Sequence, residues 1–319
     1  MFGIKKVALG AALACMAQIS VAADLPVIRL GALSYGTVNW ELDTIKHNGL
    51  DEANGFMLEV VPMGGGNASD IAFLGGEIDA MVSDVVWAAR QRAEGRDLKF
   101  IPYSTAVGGI MVKPESGITD LAGLEGKKIG IAGGPLDKSW LILQAYAEKT
   151  SGIELEGISK QEFGAPPLMF KSALTGEVDA VINFWHFQAK AKAAGLVELV
   201  SVQDAAEALG LSATTPLLGY IVSGDMDPDL ANALYTASRA AKDILREEDA
   251  AWEVVRPRMK PKSDAQFDAL KAGFIAGIPQ SAEIDSDAVE EMLSLMGQLG
   301  GEELVGKATS VPAGLFVGS

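Results

Sequence analysis

The chain reads as an α/β protein of two lobes, each a mostly parallel sheet flanked by helices, with a hinge between the lobes. Three observations predict this. First, one sentence occurs twice: residues 76–95 read GEIDAMVSDVVWAARQRAEG and residues 176–195 read GEVDAVINFWHFQAKAKAAG. Gly76, Glu77, Asp79 and Ala80 align with Gly176, Glu177, Asp179 and Ala180, and the register holds through Ala89/Ala189, Arg90/Lys190 and Gly95/Gly195. Second, each copy closes a run of alternating strands and helices, the pattern of a parallel sheet with right-handed crossovers. Third, the last third of the chain is helical and adds no strand. Two similar lobes make a cleft, and clefts between domains are preferred sites for small ligands.

Taken in order, Val27 to Leu33 is a short, nearly continuous apolar run, as expected of a buried parallel strand. Ser34-Tyr35-Gly36-Thr37 breaks it, and a helix is expected from Val38 to Ala53, ended by Gly55. Phe56 to Val61 is the next strand, Gly64-Gly65-Gly66-Asn67 a loop, and Ala68 to Leu74 a helix that delivers the first repeated strand, Ile78 to Val82. The pattern restarts with a strand at Lys127 to Ala132, a turn at Gly133-Gly134-Pro135, and Asp137 or Ser139 capping a helix over Trp140 to Lys149. A helix over Pro166 to Leu174 delivers the second repeated strand, Val178 to Ile182. Asp227-Pro228 opens the helical tail, with Asp as cap and Pro at the first helical position. Leu230, Leu234, Ala237, Ala241 and Leu245 mark its buried stripe. Further helices are expected at 249–256, 263–275 and 285–299, the last ended by Gly300-Gly301, and the tail is expected to pack back on the first lobe. The chain is expected to cross between lobes near 106–112 and 214–222. These crossings divide it into residues 23–108 with 218–319 as lobe 1, and 109–217 as lobe 2.

Residues 1–22 stand apart. Lys5 and Lys6 precede an apolar run, and small residues follow at Ser20-Val21-Ala22-Ala23, which predicts a secretory signal cleaved after Ala22 or Ala23. Ala12-Leu13-Ala14-Cys15 offers a lipoprotein alternative, with Ala12 standing where leucine is usual. Cys15 is the single cysteine, so cleavage at Ala22 leaves a mature chain without disulfides, thiolate nucleophiles or zinc–thiolate sites. Export without cysteine fits a bacterial periplasmic protein. The formal charge is −16, and losing Lys5 and Lys6 makes it more acidic still. Such a surface argues against nucleic-acid or anionic-membrane partners and serves solubility.

The repeated Gly-Glu-x-Asp-Ala is read as scaffold. Gly76 and Gly176 suit the left-handed position after a helix, and the aspartates open buried strands. The two copies diverge at the strand ends, Ser83-Asp84-Val85-Val86-Trp87 against Asn183-Phe184-Trp185-His186-Phe187, where ligands sit in open α/β sheets. Gly64-Gly65-Gly66-Asn67 precedes a helix, whose N-terminal amides suit an anionic or carbonyl oxygen; no Walker motif is present. Trp40, Trp87, Trp140 and Trp185, joined by Tyr35, Phe184 and Phe187, fall near expected strand ends or helix starts, and aromatic walls stack on flat rings or embrace cations. His47 and His186 are too far apart, without cysteine, to make a metal set, and no nucleophile–base arrangement is present. No catalytic residue, metal or cofactor is therefore expected.

The order VIRLGALSYG, GGGNASDIAFLGGEIDA, DLAGLEGKKIGIAGG and TGEVDAVINFW resembles the periplasmic solute-binding proteins of the nitrate, sulfonate, taurine and thiamine-precursor group, which serve ATP-binding-cassette importers. Asp120-Leu121 followed by Leu124 to Ile129 is the most specific single match. The resemblance covers essentially the whole mature chain. It implies the type II periplasmic-binding-protein fold, hinge closure on a small ligand, and docking on a membrane permease with its cytoplasmic ATPase, with the binding protein a monomer. It also implies ligand contacts at Ser34, Tyr35 and Trp40; at Gly65, Gly66 and Asn67; at Asp84 and Trp87; at Asp137, Ser139 and Trp140; and at Asn183 and Trp185. His186, which follows Trp185, is a further candidate by its position at the cleft. Asp84 and Asp137 suit ring N–H groups or an amine, Lys138 a sulfonate or carboxylate, and no arginine falls in these loops. The expected ligand is an aromatic or heterocyclic solute such as a pyrimidine, or an organosulfonate. The same resemblance offers a ligand sensor for a membrane receptor, or a pyrimidine synthase of thiamine biosynthesis. That synthase uses a cysteine-rich motif and a cofactor lysine, whereas this chain has neither cysteine in its mature part nor an intracellular address.

Overall fold

The computed structural model describes residues 25–212, 215–281 and 284–317. The signal and Cys15 readings lie outside these residues. In chain order the first part holds β1 (Val27–Leu33), α1 (Val38–His47), α2 (Leu50–Ala53), β2 (Met57–Met63), α3 (Gly66–Leu74), β3 (Ala80–Asp84), α4 (Val85–Ala93) and β4 (Leu98–Ser104). The second holds β5 (Gly109–Val112), β6 (Lys128–Ala132), α5 (Lys138–Ser151), α6 (Leu155–Ile158), β7 (Lys160–Gly164), α7 (Pro166–Thr175), β8 (Ala180–Asn183), α8 (Trp185–Ala193), β9 (Val197–Ser201) and α9 (Val202–Ala208). Then follow β10 (Leu218–Ser223), α10 (Pro228–Glu247), α11 (Asp249–Met259), α12 (Asp264–Ala276) and α13 (Ser286–Val305).

Among the described residues the strands form two five-stranded sheets, ordered β2-β1-β3-β10-β4 and β7-β6-β8-β5-β9. The sheets match position by position. In each, the first three strands are parallel and the fourth runs antiparallel to both its neighbours. That fourth strand arrives from the other half of the chain: β5 enters the second sheet after β4, and β10 re-enters the first after β9. This is the type II periplasmic binding architecture.

The doubled sentence has a common physical use. Asp79 Oδ2 accepts from the Arg29 amide at 2.8 Å while the Asp79 amide donates to the Arg29 carbonyl at 2.8 Å. Asp179 does the same with Lys128, at 2.8 and 2.9 Å. Each aspartate pins the start of its strand to the strand beside it, in the same register, Leu30 opposite Ala80 and Ile129 opposite Ala180. Gly76 and Gly176, at φ of 74° and 80°, end the preceding helical turns.

Two expectations are corrected. The helix over 38–53 breaks at Gly49, whose φ of 62° ends α1 and starts α2. The tail does not pack on the first sheet alone. α10 and α11 lie against α1, but α12 packs on α8, and α13 packs on both α4 and α5. The largest apolar core accordingly runs from Met81 and Phe100 of the first sheet, through Val289 and Met296 of α13, to Ile129 and Ile182 of the second.

Candidate ligand-binding site

The carboxyl ends of the two sheets face a cavity of about 350 Å³, lined mainly by apolar side chains. From the first-sheet side come Tyr35 and Thr37 after β1, Ser69 from the first turn of α3, Asp84 at the end of β3 and Tyr103 near the end of β4. From the second-sheet side come Asp137, Lys138 and Ser139 at the start of α5, and Phe184, Trp185 and His186 at the start of α8. Val107 and Leu217 stand beside the chain crossings, and Met292 of α13 completes the wall.

Two helix caps meet here. Asp84 Oδ1 accepts from the Trp87 amide at 2.8 Å and starts α4; Asp137 Oδ1 accepts from the Trp140 amide at 3.0 Å and starts α5. Asp84 keeps its second oxygen for Lys138, whose Nζ donates to Oδ2 at 2.7 Å across the cleft. Burial pushes the Asp137 carboxyl up to about 6, and Asp84 adds to the same direction. Asp70, which accepts from the Trp87 indole, is also raised, first by burial and then by Asp84. Burial opposes the Lys138 ammonium, but Asp84, Asp137 and Asp70 outweigh it and hold it above the ordinary lysine range. Three carboxyl groups, with Asp70 set back from the cavity, therefore act on one ammonium, which is the sole lysine or arginine among the residues lining this cavity.

His186 contributes differently. It is 5 % exposed, and its Nε2 has no hydrogen-bond partner. Burial, with help from Lys190, lowers its pKa to about 3, so it stands as a neutral imidazole at physiological pH. In the cavity floor, Tyr103 shares a side-chain hydrogen bond with Thr37 and sits 4.7 Å from Lys242 Nζ, measured at the ring centroid. Lys242 Nζ lies 2.6 Å from Glu41 Oε2, and Tyr220 donates to Glu41 Oε1 at 2.7 Å.

The residues singled out in the sequence separate into three groups. Tyr35, Asp84, Asp137, Ser139, Trp185 and His186 line the cavity. Ser34 and Trp40 line an adjoining pocket instead, and most of Trp40 is core, edge-on to Trp252 at 6.2 Å. Gly65, Gly66, Asn67, Trp87, Trp140 and Asn183 are not brought to either wall. Gly66 and Asn67 face solvent, and Ser69 takes their place one turn later. Trp140 is 1 % exposed within the core. Trp87 packs on Phe73. Asn183 is a corner brace: its amide donates to the Pro166 carbonyl at 2.9 Å, and its Oδ1 accepts from the Phe184 amide at 2.8 Å. Lys138, read first as a possible anion contact, lies in the cavity but is already paired. A lysine at the first position of a helix opposes the macrodipole, a local sign that an acidic partner is near. Tyr103 and Met292 carried no such sign.

A sequence profile described as NMT1/THI5 like matches residues 46–249, and the chain belongs to that family. No curated protein sequence matches it significantly. Its fold is that of solved solute-binding proteins. The alkanesulfonate-binding protein SsuA of Xanthomonas axonopodis pv. citri, bound to MOPS, is 19% identical with a TM-score of 0.71, over 92% of this chain and 99% of that one. The periplasmic aliphatic sulphonate binding protein SsuA of Escherichia coli is 15% identical with a TM-score of 0.69, over 89% and 91%. The periplasmic nitrate-binding protein NrtA of Synechocystis PCC 6803 is 14% identical with a TM-score of 0.55, over 73% and 66%. Among the described residues no helix is long and apolar enough to cross a membrane.

Proposed function

We infer that this chain is the exported, periplasmic solute-binding component of an ATP-binding-cassette importer. It captures a small flat aromatic or heterocyclic solute, neutral or cationic, between lobe 1 (residues 23–108 and 218–319) and lobe 2 (109–217). Capture is non-catalytic, and the closed monomer is what the permease recognises. The observation that carries the ligand class is the charge at the cavity: Asp84 and Asp137 line it, Asp70 stands behind them, and Lys138 is already paired with Asp84. A sulfonate placed there would face more negative than positive charge, a net repulsion. A ring N–H or an amine would find acceptors. A cavity of about 350 Å³ holds one substituted ring more comfortably than an extended chain. The family and the solved neighbours support solute capture; their sulfonate and nitrate ligands are properties of those proteins.

A thermal-shift panel of pyrimidines and aromatic amines against alkane- and arylsulfonates tests the reading. Stabilisation by the first group, lost in Asp84→Asn and Trp185→Ala, is expected. Stabilisation by sulfonates alone would overturn the ligand class.

A further inference from the structure

Beside the cavity lies a second pocket of about 540 Å³, sharing Tyr35, Gly36 and His186 with it. Its walls come from α1, α8 and α11, so it too stands between the two halves of the molecule. Its charge is opposite. Lys190, Arg258 and Lys260 line it, with Asp43 as the only acid. Asp43 is fully engaged, its two oxygens accepting from Arg258 Nε and Nη2 at 2.7 and 2.8 Å. Among the described residues, Lys190 and Lys260 have no carboxylate within salt-bridge distance. Lys190 Nζ instead lies 5.0 Å from the centroid of the Phe187 ring, and burial together with Lys262 lowers its pKa. A chain of net charge −16 has acids to spare, yet leaves these cations unpaired.

Lys260 adds an independent sign. It is the one described non-glycine residue at positive φ, at 48°, and it precedes Pro261, which disfavours helical backbone in the residue before it. Gly152 and Gly176 occupy left-handed helix ends elsewhere in this chain. A lysine there carries backbone strain that glycine would avoid, and it holds an ammonium at the pocket wall. The unpartnered Nε2 of His186, 5 % exposed, belongs to the same wall.

We propose that this pocket is an oxyanion site, taking a carboxylate, sulfate or phosphate group between Lys190 on α8 and Lys260 at the C-terminal end of α11. Lys190 belongs to the second-sheet side and Lys260 to the tail helices packed on α1, so a bound oxyanion ties the two halves together. The site goes beyond the cavity reading and does not depend on it. The oxyanion comes either from a free anion or from the acidic end of a ligand whose ring occupies the cavity.

Isothermal titration calorimetry separates these sources. Sodium sulfate is titrated at ionic strength matched with sodium chloride, and benzylamine is compared with 4-(aminomethyl)benzoate. The proteins are wild type, Lys190→Gln, Lys260→Gln and the surface control Lys307→Gln, each first checked for wild-type circular dichroism. Sulfate binding that falls at least about tenfold in both pocket variants but not in the control identifies a free anion. An advantage of 4-(aminomethyl)benzoate over benzylamine that disappears in the same variants identifies a ligand's own acidic end. If sulfate binds no better than chloride and the benzoate has no advantage, or if Lys190→Gln alters neither, the site does not exist. The sulfate arm reads the pocket even where no aromatic amine enters the cavity.

Discussion

Burial pushes the Asp137 carboxyl up to about 6 while the same side chain caps α5 and borders the cavity. The folded pKa lies above the unfolded one, so the ionised form is penalised by folding. That penalty is full above pH 6 and absent below about pH 4. Asparagine keeps the cap and removes the charge. Asp137→Asn is therefore expected to stabilise the protein at pH 7.5 by on the order of 2 kcal/mol, the gain closing as pH falls from 6 to 4. Urea unfolding at several pH values checks this, and a pH-independent gain would show that the charge is not the cause. Affinity for an aromatic amine should fall in the wild type as pH drops through 6, because protonation removes an acceptor. Glu41 and Lys242 present the opposite case, a buried ion pair at 0 % and 1 % side-chain exposure. Lys242→Met leaves a buried carboxylate alone and should cost about 3–5 kcal/mol, whereas Glu41→Gln with Lys242→Met should recover most of it. Melting temperatures of the two variants and the wild type decide between these outcomes.

At the scale of elements, α12 approaches α8 so closely that a Cβ on Gly273 would lie 2.7 Å from the Trp185 ring. Trp185 also meets Trp40 edge-on at 6.0 Å, so one tryptophan joins α1, α8 and α12. Gly273→Ala favours the helix by about 1 kcal/mol through propensity but overpacks this contact at a cost of about 1–3 kcal/mol. The expected result is a protein no more stable than wild type, with red-shifted tryptophan emission as Trp185 is displaced toward solvent. Unchanged emission with raised stability would mean that the tryptophan moves freely. These contacts also mark where the sequence stops being legible. β1, β3, β6 and β8 announce themselves because their apolar runs and the doubled Gly-Glu-x-Asp-Ala are local signals. The start of α5 was legible too, because Asp137 acts as a cap within three residues of its partner, whereas the strand before α4 runs on to Asp84, two residues past the expected end. The aromatic residues were less informative: Trp140 and Trp185 both begin helices after strands, and only tertiary packing sends one to the core and the other to the cavity. Gly300-Gly301, read as a helix end, is a kink: Gly301 has φ 56° and ψ −159°, and the helix resumes to Val305 because Leu304 and Val305 find apolar partners. The main partner of α12, α8, and the partners of α13, α4 and α5, lie more than seventy residues away and leave no trace in local periodicity.

For the molecule as a whole, those tail helices govern how the halves can move. The chain passes between the sheets just before β5 and again before β10, and α13 adds an apolar bridge through Met292 and Met296. Opening must slide α13 over α4 or α5 while parting Asp84 from Lys138 and Trp40 from Trp185. The ion pair is partly solvated, with side chains 22 % and 37 % exposed, so it contributes at most about 1 kcal/mol to closure. As a latch alone it changes apparent affinity by no more than about fivefold, through the fraction of molecules that are closed. Lys138→Met also leaves Asp84 free to accept from a cationic ligand. These two effects oppose each other, and X-ray scattering separates them from binding. The radius of gyration of free Lys138→Met is expected to exceed that of the wild type and to return to it with a saturating aromatic amine. A titration of the same amine should show affinity equal to or greater than wild type, since Asp84 no longer competes for a partner. Equal radii with weakened binding would instead make Lys138 a direct ligand contact, and would return the anionic solutes to first consideration for this cavity.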